Sequence, residues 1–212
     1  MVLVRSVREL YGGANEARYA FDVPELVTWI SGPEPRTVGE ANFAPARLLS
    51  LQSRLSAAYK GVMARLIQIG SQDFISGDPV ELTSYFDRAV DIHHIFPRSY
   101  CERLELPRQK WNSIVNKAAL SARTNRIIGG NRPSSYIATI ERTRRIAPER
   151  FDEILGSHVI DPAPLRSDGF DAFIGDRARR LLDLIEQAMG KAVTGRDADD
   201  VVAAFGGDLV AR

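Results

Sequence analysis

The chain has 212 residues, of which 44% are hydrophobic and 26% charged, and its formal net charge is +1 at pH 7. This composition is typical of a soluble globular protein and excludes a fibrous or disordered chain. The apolar runs are too short to span a membrane, the N-terminus lacks a signal-peptide pattern, and the single cysteine, Cys101, excludes an internal disulfide; we therefore expect a cytoplasmic protein.

The first 88 residues are predicted to be mainly helical. One helix is predicted at residues 23–30 and a long one at residues 45–70, with turn-rich loops at residues 31–35 and 71–79. In the long helix, apolar residues recur every three or four positions, which predicts one buried face. This face consists of Leu48, Leu51, Leu55, Ala58, Val62 and Leu66.

The pattern changes from Phe86 onwards. Apolar residues surround His93 and His94 in a short segment that ends at Pro97, and this pattern predicts a β-strand. A short helix is predicted at residues 98–104. The chain has only one other histidine, so the adjacent pair is a candidate reaction centre.

A second strand is predicted at residues 117–120. Ser121 would cap a short helix at residues 122–128, and Gly129 would end it. The predicted order is therefore strand, loop, strand, helix. Later in the chain, Pro133 begins a helix, and residues 171–191 form an amphipathic helix with one apolar side. That side contains Phe173, Ala178, Leu181, Leu182, Ile185 and Met189.

The charges are distributed unevenly along the chain. Residues 98–150 carry 12 Lys or Arg against 4 Glu, a net charge of +8, whereas residues 1–97 carry −2 and residues 151–212 carry −5. A basic surface beside a reaction site favours a polyanionic substrate, because neutralised phosphates release counterions. The same charges also fit a solvated arginine-rich helix, and charge alone does not decide between these interpretations.

The histidine pair has the chemistry that phosphodiester hydrolysis needs. That reaction requires a base to activate water and a cation to offset the charge on the phosphate. A neutral imidazole can act as the base or as a metal ligand. Asn125, in the first turn of the predicted short helix, adds an oxygen ligand, and a site with few protein ligands stays open to water and phosphate, as catalytic metals do.

The pair also raises a geometric difficulty. Neighbouring residues of a regular strand point to opposite faces, so His93 and His94 enter one pocket only if the strand twists or ends there. Pro97 is consistent with a strand end; alternatively, a phosphate could lie between the two side chains. Taken alone, the pair also fits two histidines of a protein core.

Three segments together resemble a known nuclease motif. DIHHIFPRS (91–99), SIVNKAALSARTNRIIG (113–129) and PS (133–134) resemble, in this order and spacing, the HNH motif, a ββα-metal unit. Within that superfamily they are most similar to the C-terminal HNH domain of GmrSD-type modification-dependent restriction enzymes, and they resemble more distantly the HNH domain of the CRISPR effector nuclease. The similarity to the GmrSD-type domain extends over nearly the whole chain.

The resemblance implies a role for each matching residue. His94 would be the general base, His93 the first metal ligand and Asn125 the second, while Asn116 would tie the loop between the strands by side-chain to backbone hydrogen bonds. A further histidine of classical HNH enzymes is replaced by Gly129. So few nitrogen ligands favour Mg²⁺ or Mn²⁺ over Zn²⁺.

Other residues near the motif have open roles. Asp91 either orients His93 or a metal-bound water, or caps the strand end. Trp111 and Tyr136 are predicted to pack in the core rather than stack on a base, and His158 and Cys101 are expected to be structural. Five basic residues could contact DNA, although each also fits a solvated position. They are Arg98, Lys117, Arg123, Arg126 and Arg132.

The expected fold is α+β, mostly helical, around a small ββα-metal HNH unit. The expected divisions are a helical N-terminal region at residues 1–88, the motif at 89–132, C-terminal helices that pack on it at 133–191, and a weakly structured tail at 192–212.

The expected function is divalent-metal-dependent cleavage of DNA. One site per chain implies a nick, so a double-strand break needs a homodimer or two events. The resemblance implies an effector of a restriction or anti-phage system that acts on foreign or modified DNA. The sequence lacks the phosphate-binding loop of a nucleotide-handling sensor domain, which would then be a separate or missing part. The alternative is a non-catalytic DNA-binding or regulatory domain with an HNH-like fold.

Overall fold

The structure is a computed structural model that describes residues 16–81 and 90–211. The described helices before the first strand, α1 to α4, are Glu16–Thr28, Arg36–Gly39, Arg47–Ser50 and Ala57–Gln68. The two strands are β1, Val90–His94, and β2, Lys117–Ser121. Between them lie α5, α6 and a 3-10 turn, at Arg98–Arg103, Arg108–Trp111 and Ile114–Asn116. Helices α7 to α12 are Ala122–Ile128, Pro133–Arg144, Pro148–Gly156, Pro162–Arg166, Phe170–Met189 and Asp199–Phe205.

The predicted α+β class is confirmed: helices predominate, and the strands pair as a two-stranded antiparallel sheet. The register places His94 opposite Lys117 and Val90 opposite Ser121. Helix α7 begins directly after β2, so the predicted order of strand, strand and helix is also confirmed. Predictions for residues 1–15 and 82–89 lie outside the described residues.

One hydrophobic core joins the helices to the sheet. It includes Phe43 and Leu48 from the N-terminal region, Phe96 from the segment after β1, and the apolar side of α11. All six residues predicted for that side of α11 are buried, so this prediction is confirmed. Within residues 16–81 and 90–211, no helix has both the length and the apolar composition that crossing a membrane requires.

The long helix predicted at residues 45–70 is interrupted. Helix α3 ends at Ser50, and α4 begins only after Ser56, whose hydroxyl accepts a hydrogen bond from the backbone N–H of Tyr59. Leu55, predicted to be buried, is 88% exposed. The break has a physical reason, because the carbonyl of Leu51 leaves the helical pattern and accepts a hydrogen bond from the backbone of Ile114, at 2.8 Å.

The segment after residue 192 is also more ordered than predicted. Helix α12 buries Val201 and Phe205, and Leu209 is 1% exposed. Arg196 holds this segment against α11 through an ion pair with Asp183, at 2.6 Å. The prediction of a weakly structured tail is therefore wrong, because the segment supplies apolar side chains and a paired arginine that local sequence patterns do not reveal.

Arg177 is the largest fully buried side chain, and it connects α11 to the sheet. Its guanidinium donates to the main-chain carbonyls of Val115 and Lys117, at 2.6 and 2.9 Å, and to that of His158, at 3.3 Å. Burial lowers the pKa of Arg177 to about 9. The hydrogen bonds to these carbonyls offset the cost of burying the charge. The same hydrogen bonds hold the 3-10 turn and the start of β2 in place.

His158 is structural, as predicted. Its side chain is 1% exposed, and its ring lies edge-on against Phe74, with 5.2 Å between ring centroids. Nε2 lies 2.7 Å from the carbonyl oxygen of Gln72, so this nitrogen carries a proton and donates it. Burial, reinforced by the nearby charge of Arg177, lowers the pKa of His158 to about 4, against the opposing effects of the Gln72 hydrogen bond and of Asp73.

This lowered pKa predicts a pH-dependent stability. An unfolded histidine titrates near pH 6.5, so between pH 6.5 and 4 the unfolded state binds a proton that the folded state does not bind. As the pH is lowered from 6.5 to 4, His158 should therefore reduce the free energy of unfolding by up to roughly 3 kcal/mol. Urea unfolding at a series of pH values should show that the free energy of unfolding decreases less with falling pH in His158→Gln than in the wild type. An equal dependence on pH in the two proteins would contradict the prediction.

Candidate active site at the end of the first strand

A cavity of about 500 Å³ opens beside the end of β1. The residues on its wall include His93, His94, Arg98, Glu102, Asn125 and Gly129. The structure thus brings the two histidines and Asn125 together around one space. Glu102, which the sequence patterns did not single out, adds a carboxylate to this wall and is paired with Arg98 at 2.7 Å.

The two adjacent histidines line one cavity although both belong to β1. His94 is the last residue of β1, and Pro97 already precedes the first turn of α5. Both histidines are half-buried and line the same cavity. Both histidines are paired within β1, His93 with Ala118 and His94 with Lys117, and the cavity at the strand end is wide enough to reach both.

The side chain of Asn116 makes this strand end. Its Oδ1 accepts from the backbone N–H of Phe96 at 2.8 Å, and its Nδ2 donates to the carbonyls of Phe96 and Trp111, both at 2.9 Å. Asn116 is fully buried, so these bonds satisfy main-chain groups that water does not reach. The structural role predicted for Asn116 is observed directly.

His94 sits in a partly dehydrated environment. Its Nε2 lies 3.3 Å from Oδ1 of Asn112, and its ring packs against Trp111 with 5.6 Å between centroids. Burial lowers the pKa of His94 below its usual value, against the effect of the Asn112 hydrogen bond, and positive charge at Lys117 lowers it further. The imidazole is therefore neutral at pH 7 and has one lone pair available.

Asn125 is held by the N-terminal cap of α7. The hydroxyl of Ser121 accepts from the backbone N–H of Thr124 at 3.2 Å, which confirms the predicted cap, and Gly129 ends the helix with a φ of +52°. Helix α7 therefore starts immediately after the sheet. Asn125, in its first turn, faces the cavity that the histidines line.

Asp73 supports this cap from a distant loop. Its carboxylate accepts from the backbone N–H of Ser121 at 2.8 Å and from the hydroxyl of Thr124 at 2.7 Å. Burial alone would raise the pKa of Asp73, but hydrogen bonds from Ser121, Thr124 and Ile75 outweigh it and hold the pKa below its usual range. No sequence signal pointed to Asp73, because a carboxylate in a turn-rich loop has no periodicity that reveals its partner.

The basic residues of the motif divide into two groups. Arg98, Arg123, Arg126 and Arg132 are exposed, and Arg132 lies 3.7 Å from Asp168. Lys117 differs from the others, because it is only 7% exposed. The predicted surface position of Lys117 is therefore wrong, whereas the four arginines are at the surface, Arg98 paired with Glu102.

The burial of Lys117 has a clear structural cause. Its ammonium donates to the carbonyl of Gln52 at 2.7 Å and lies 5.7 Å from the ring centroid of Tyr59. Burial lowers the pKa of Lys117 to about 8. Lys117 thus ties β2 to the break between α3 and α4.

The predictions for Trp111, Tyr136 and Cys101 can be compared with the structure. Trp111 and Tyr136 are buried core residues, as predicted, and the hydroxyl of Tyr136 donates to the carbonyl of Ile95 at 3.1 Å. Cys101 is also buried, and burial raises the pKa of its thiol to about 12, which fits packing rather than reactivity. Asp91 pairs with Leu120 in the sheet, but its side chain lies outside the described part of the structure.

The cavity offers a small donor set for a cation. In the described ranges, no group of three or more His, Cys, Asp or Glu side chains is placed to hold a metal ion. His93, with an imidazole, and Asn125, with an amide oxygen, nevertheless line the same cavity. Such a pair fits an ion that keeps most of its coordination sphere for water and substrate oxygens, as Mg²⁺ does.

The Asn116 hydrogen bonds should make a measurable contribution to stability. In Asn116→Ala, the N–H of Phe96 and the carbonyl of Trp111 would lose their side-chain partner, and the carbonyl of Phe96 would keep only the weak thiol donor of Cys101. We expect the free energy of unfolding to fall by roughly 3 kcal/mol. Asn131→Ala, at an exposed asparagine that loses one hydrogen bond to the carbonyl of Ile128, should change it by no more than about 1 kcal/mol. Urea unfolding followed by circular dichroism measures both, and a similar small effect for the two variants would contradict this role.

Comparison with known proteins adds one relative. The chain matches no known protein-family profile and no solved structure. It is similar to the uncharacterized protein MJ0686 of Methanocaldococcus jannaschii, with 25% identity over 166 residues. The match covers 72% of this chain and 28% of that protein, so the chain spans less than a third of its relative's length. Because that relative is uncharacterized, the similarity assigns no function to this chain.

Proposed function

We propose that the chain is a divalent-metal-dependent DNA endonuclease of the HNH type. The observation that carries this proposal is the cavity that His93, His94 and Asn125 line together. The two antiparallel strands are followed by a helix. This is the order of elements in a ββα-metal unit, which supports the same interpretation.

His94 is the general base of the proposed reaction. Its lowered pKa keeps the ring neutral at pH 7, and it lines the cavity in which a phosphate would bind. The neutral ring takes a proton from a water molecule, whose oxygen attacks phosphorus while the bond from phosphorus to the departing 3′ oxygen breaks. Base catalysis of this kind contributes roughly 100-fold to 10,000-fold to the rate.

His93 and Asn125 would hold the cation. A bound Mg²⁺ or Mn²⁺ would offset the negative charge that develops on the phosphate. Each ligand is fixed by the fold: His93 pairs with Ala118 in the sheet, and Asn125 follows the cap formed by Ser121. The amide oxygen and the small number of protein donors favour Mg²⁺ or Mn²⁺ over Zn²⁺.

The charge distribution supports a nucleic acid substrate. Arg98 stands on the cavity wall, and Arg123 and Arg126 are exposed on the helix that carries Asn125. Their positive charge would attract phosphates without reading bases. In this proposal each chain nicks one strand of foreign or modified DNA as the effector of a restriction or anti-phage system, and a partner senses the target.

A plasmid assay tests the chemistry. With Mg²⁺ or Mn²⁺, the protein should convert supercoiled plasmid to open circles, and His94→Ala or Asn125→Ala should reduce the rate at least about 100-fold, because each removes a group that acts on the reacting phosphate or water. Asn131→Ala serves as the matched control and should cut at the wild-type rate.

The outcomes separate the two functions. Cleavage that survives His94→Ala would refute the base assignment. A folded wild type that binds DNA and leaves supercoiled plasmid intact would favour the alternative, a non-catalytic DNA-binding or regulatory domain with the same fold.

The proposed DNA surface can be tested by its salt dependence. In EDTA, which prevents cleavage, the double variant Arg123→Ala/Arg126→Ala should bind duplex DNA more weakly, and its slope of log affinity against log salt should be smaller by up to about 2. Fluorescence anisotropy over a salt series measures this slope. Arg54→Ala, at an exposed arginine before the sheet, is the matched control, and equal slopes for both variants would exclude α7 from the DNA surface.

A further inference from the structure

A short chain of side-chain amides connects His94 to a main-chain carbonyl. Nε2 of His94 lies 3.3 Å from Oδ1 of Asn112. Nδ2 of Asn112 donates to Oε1 of Gln52, also at 3.3 Å, and Nε2 of Gln52 donates to the carbonyl of Leu49 at 3.2 Å. Three consecutive hydrogen bonds therefore run from the candidate base into the helical region before the sheet.

The last partner in this chain determines the direction of every bond. A main-chain carbonyl only accepts, so Gln52 must present its NH₂ group to Leu49 and its oxygen to Asn112. Asn112 must then present its own NH₂ group to Gln52, which leaves its oxygen facing His94. An oxygen without a proton needs a donor opposite it, so Nε2 of His94 has to carry the ring proton.

The fold keeps this chain of amides in place. Asn112 caps α6, where its backbone N–H donates to the carbonyl of Arg108 at 2.9 Å. Leu49 is 2% exposed, and the segment that follows it is tied to Ile114 through the carbonyl of Leu51. Trp111 contacts the ring of His94 from another side. The side chain of Asn112 is thus fixed at both ends of its contacts, by the end of α6 and by the segment that carries Gln52.

We infer that Asn112 is a positioning residue that holds His94 as the tautomer protonated on Nε2, so that Nδ1 is the nitrogen that accepts the proton. This inference rests on the proposed function and names the nitrogen atom that takes the proton from water. Asn112 lies outside the cavity wall, whereas His94 forms part of that wall. A free neutral imidazole exchanges between two tautomers, and an oriented one presents the same lone pair in every molecule.

Nitrogen NMR of the histidine rings tests the tautomer without any measurement of cleavage. The protein has three histidines, and the signals that disappear in His94→Gln identify those of His94. In the wild type at neutral pH, long-range proton to nitrogen correlations should show a protonated Nε2 and an unprotonated Nδ1. In Asn112→Leu, which removes the acceptor, the chemical shifts of both nitrogens should move towards the average of the two tautomers.

Two more variants keep the test decisive. Asn112→Asp retains an acceptor oxygen but adds a negative charge that raises the pKa of His94, so Nε2 should stay protonated at every pH and Nδ1 should lose its proton only at a higher pH than in the wild type. Gln52→Leu leaves Asn112 in place but frees its amide to turn over, so both tautomers should appear. A wild type protonated on Nδ1, or an Asn112→Leu spectrum unchanged from the wild type, would overturn the inference.

Cleavage measurements then separate this inference from the proposed function. Asn112→Leu should nick plasmid about tenfold more slowly than the wild type while it melts at a similar temperature, because part of the base contribution is lost. A wild type with the expected tautomer that cuts no DNA would refute the nuclease and leave the tautomer assignment standing. A wild type that cuts DNA, with an Asn112→Leu variant equal to it in rate and tautomer, would refute the positioning role alone.

Discussion

The buried amide of Asn116 is the interaction on which the site depends. It binds both the N–H and the carbonyl of Phe96, so one side chain replaces the partner strand at the point where the sheet ends. A main-chain N–H or carbonyl buried without a partner costs about 1 to 3 kcal/mol, which is why the chain cannot leave the sheet here without such a residue. β1 stops at this point, and the two histidines at its end line one cavity.

Two buried charged residues hold segments next to the site in place. Arg177, on α11, binds the carbonyls of Val115 and Lys117, which flank Asn116 in the chain. Asp73, in the loop after α4, holds the start of α7 through Ser121 and Thr124. Each charge is buried together with its hydrogen-bond partners, and burial without them would be unfavourable. The cavity is therefore built by parts of the chain that lie far apart in sequence.

The two histidines have different surroundings and, in the proposed reaction, different tasks. His94 borders Trp111 and Asn112 and is neutral at pH 7, as a base must be. His93 pairs with Ala118 in the sheet and shares the cavity with Asn125, as a metal ligand would. Arg98 also stands on the cavity wall. In the proposed reaction, proton transfer and cation binding are thus assigned to neighbouring but different residues.

Local sequence patterns determined the order of the elements and the residues at the centre of the cavity. The strand around the histidines, the cap at Ser121 and the buried side of α11 follow from short-range rules of alternation, capping and helical periodicity. The grouping of His94 with Asn116 and Asn125 followed from the resemblance to the HNH motif. Only the tertiary structure decided the break near Leu51, the ordered segment after residue 192 and the supporting contacts of Gln52, Asp73, Asn112, Lys117 and Arg177. These features depend on hydrogen bonds and ion pairs between residues distant in the chain, and periodicity carries no information about such partners.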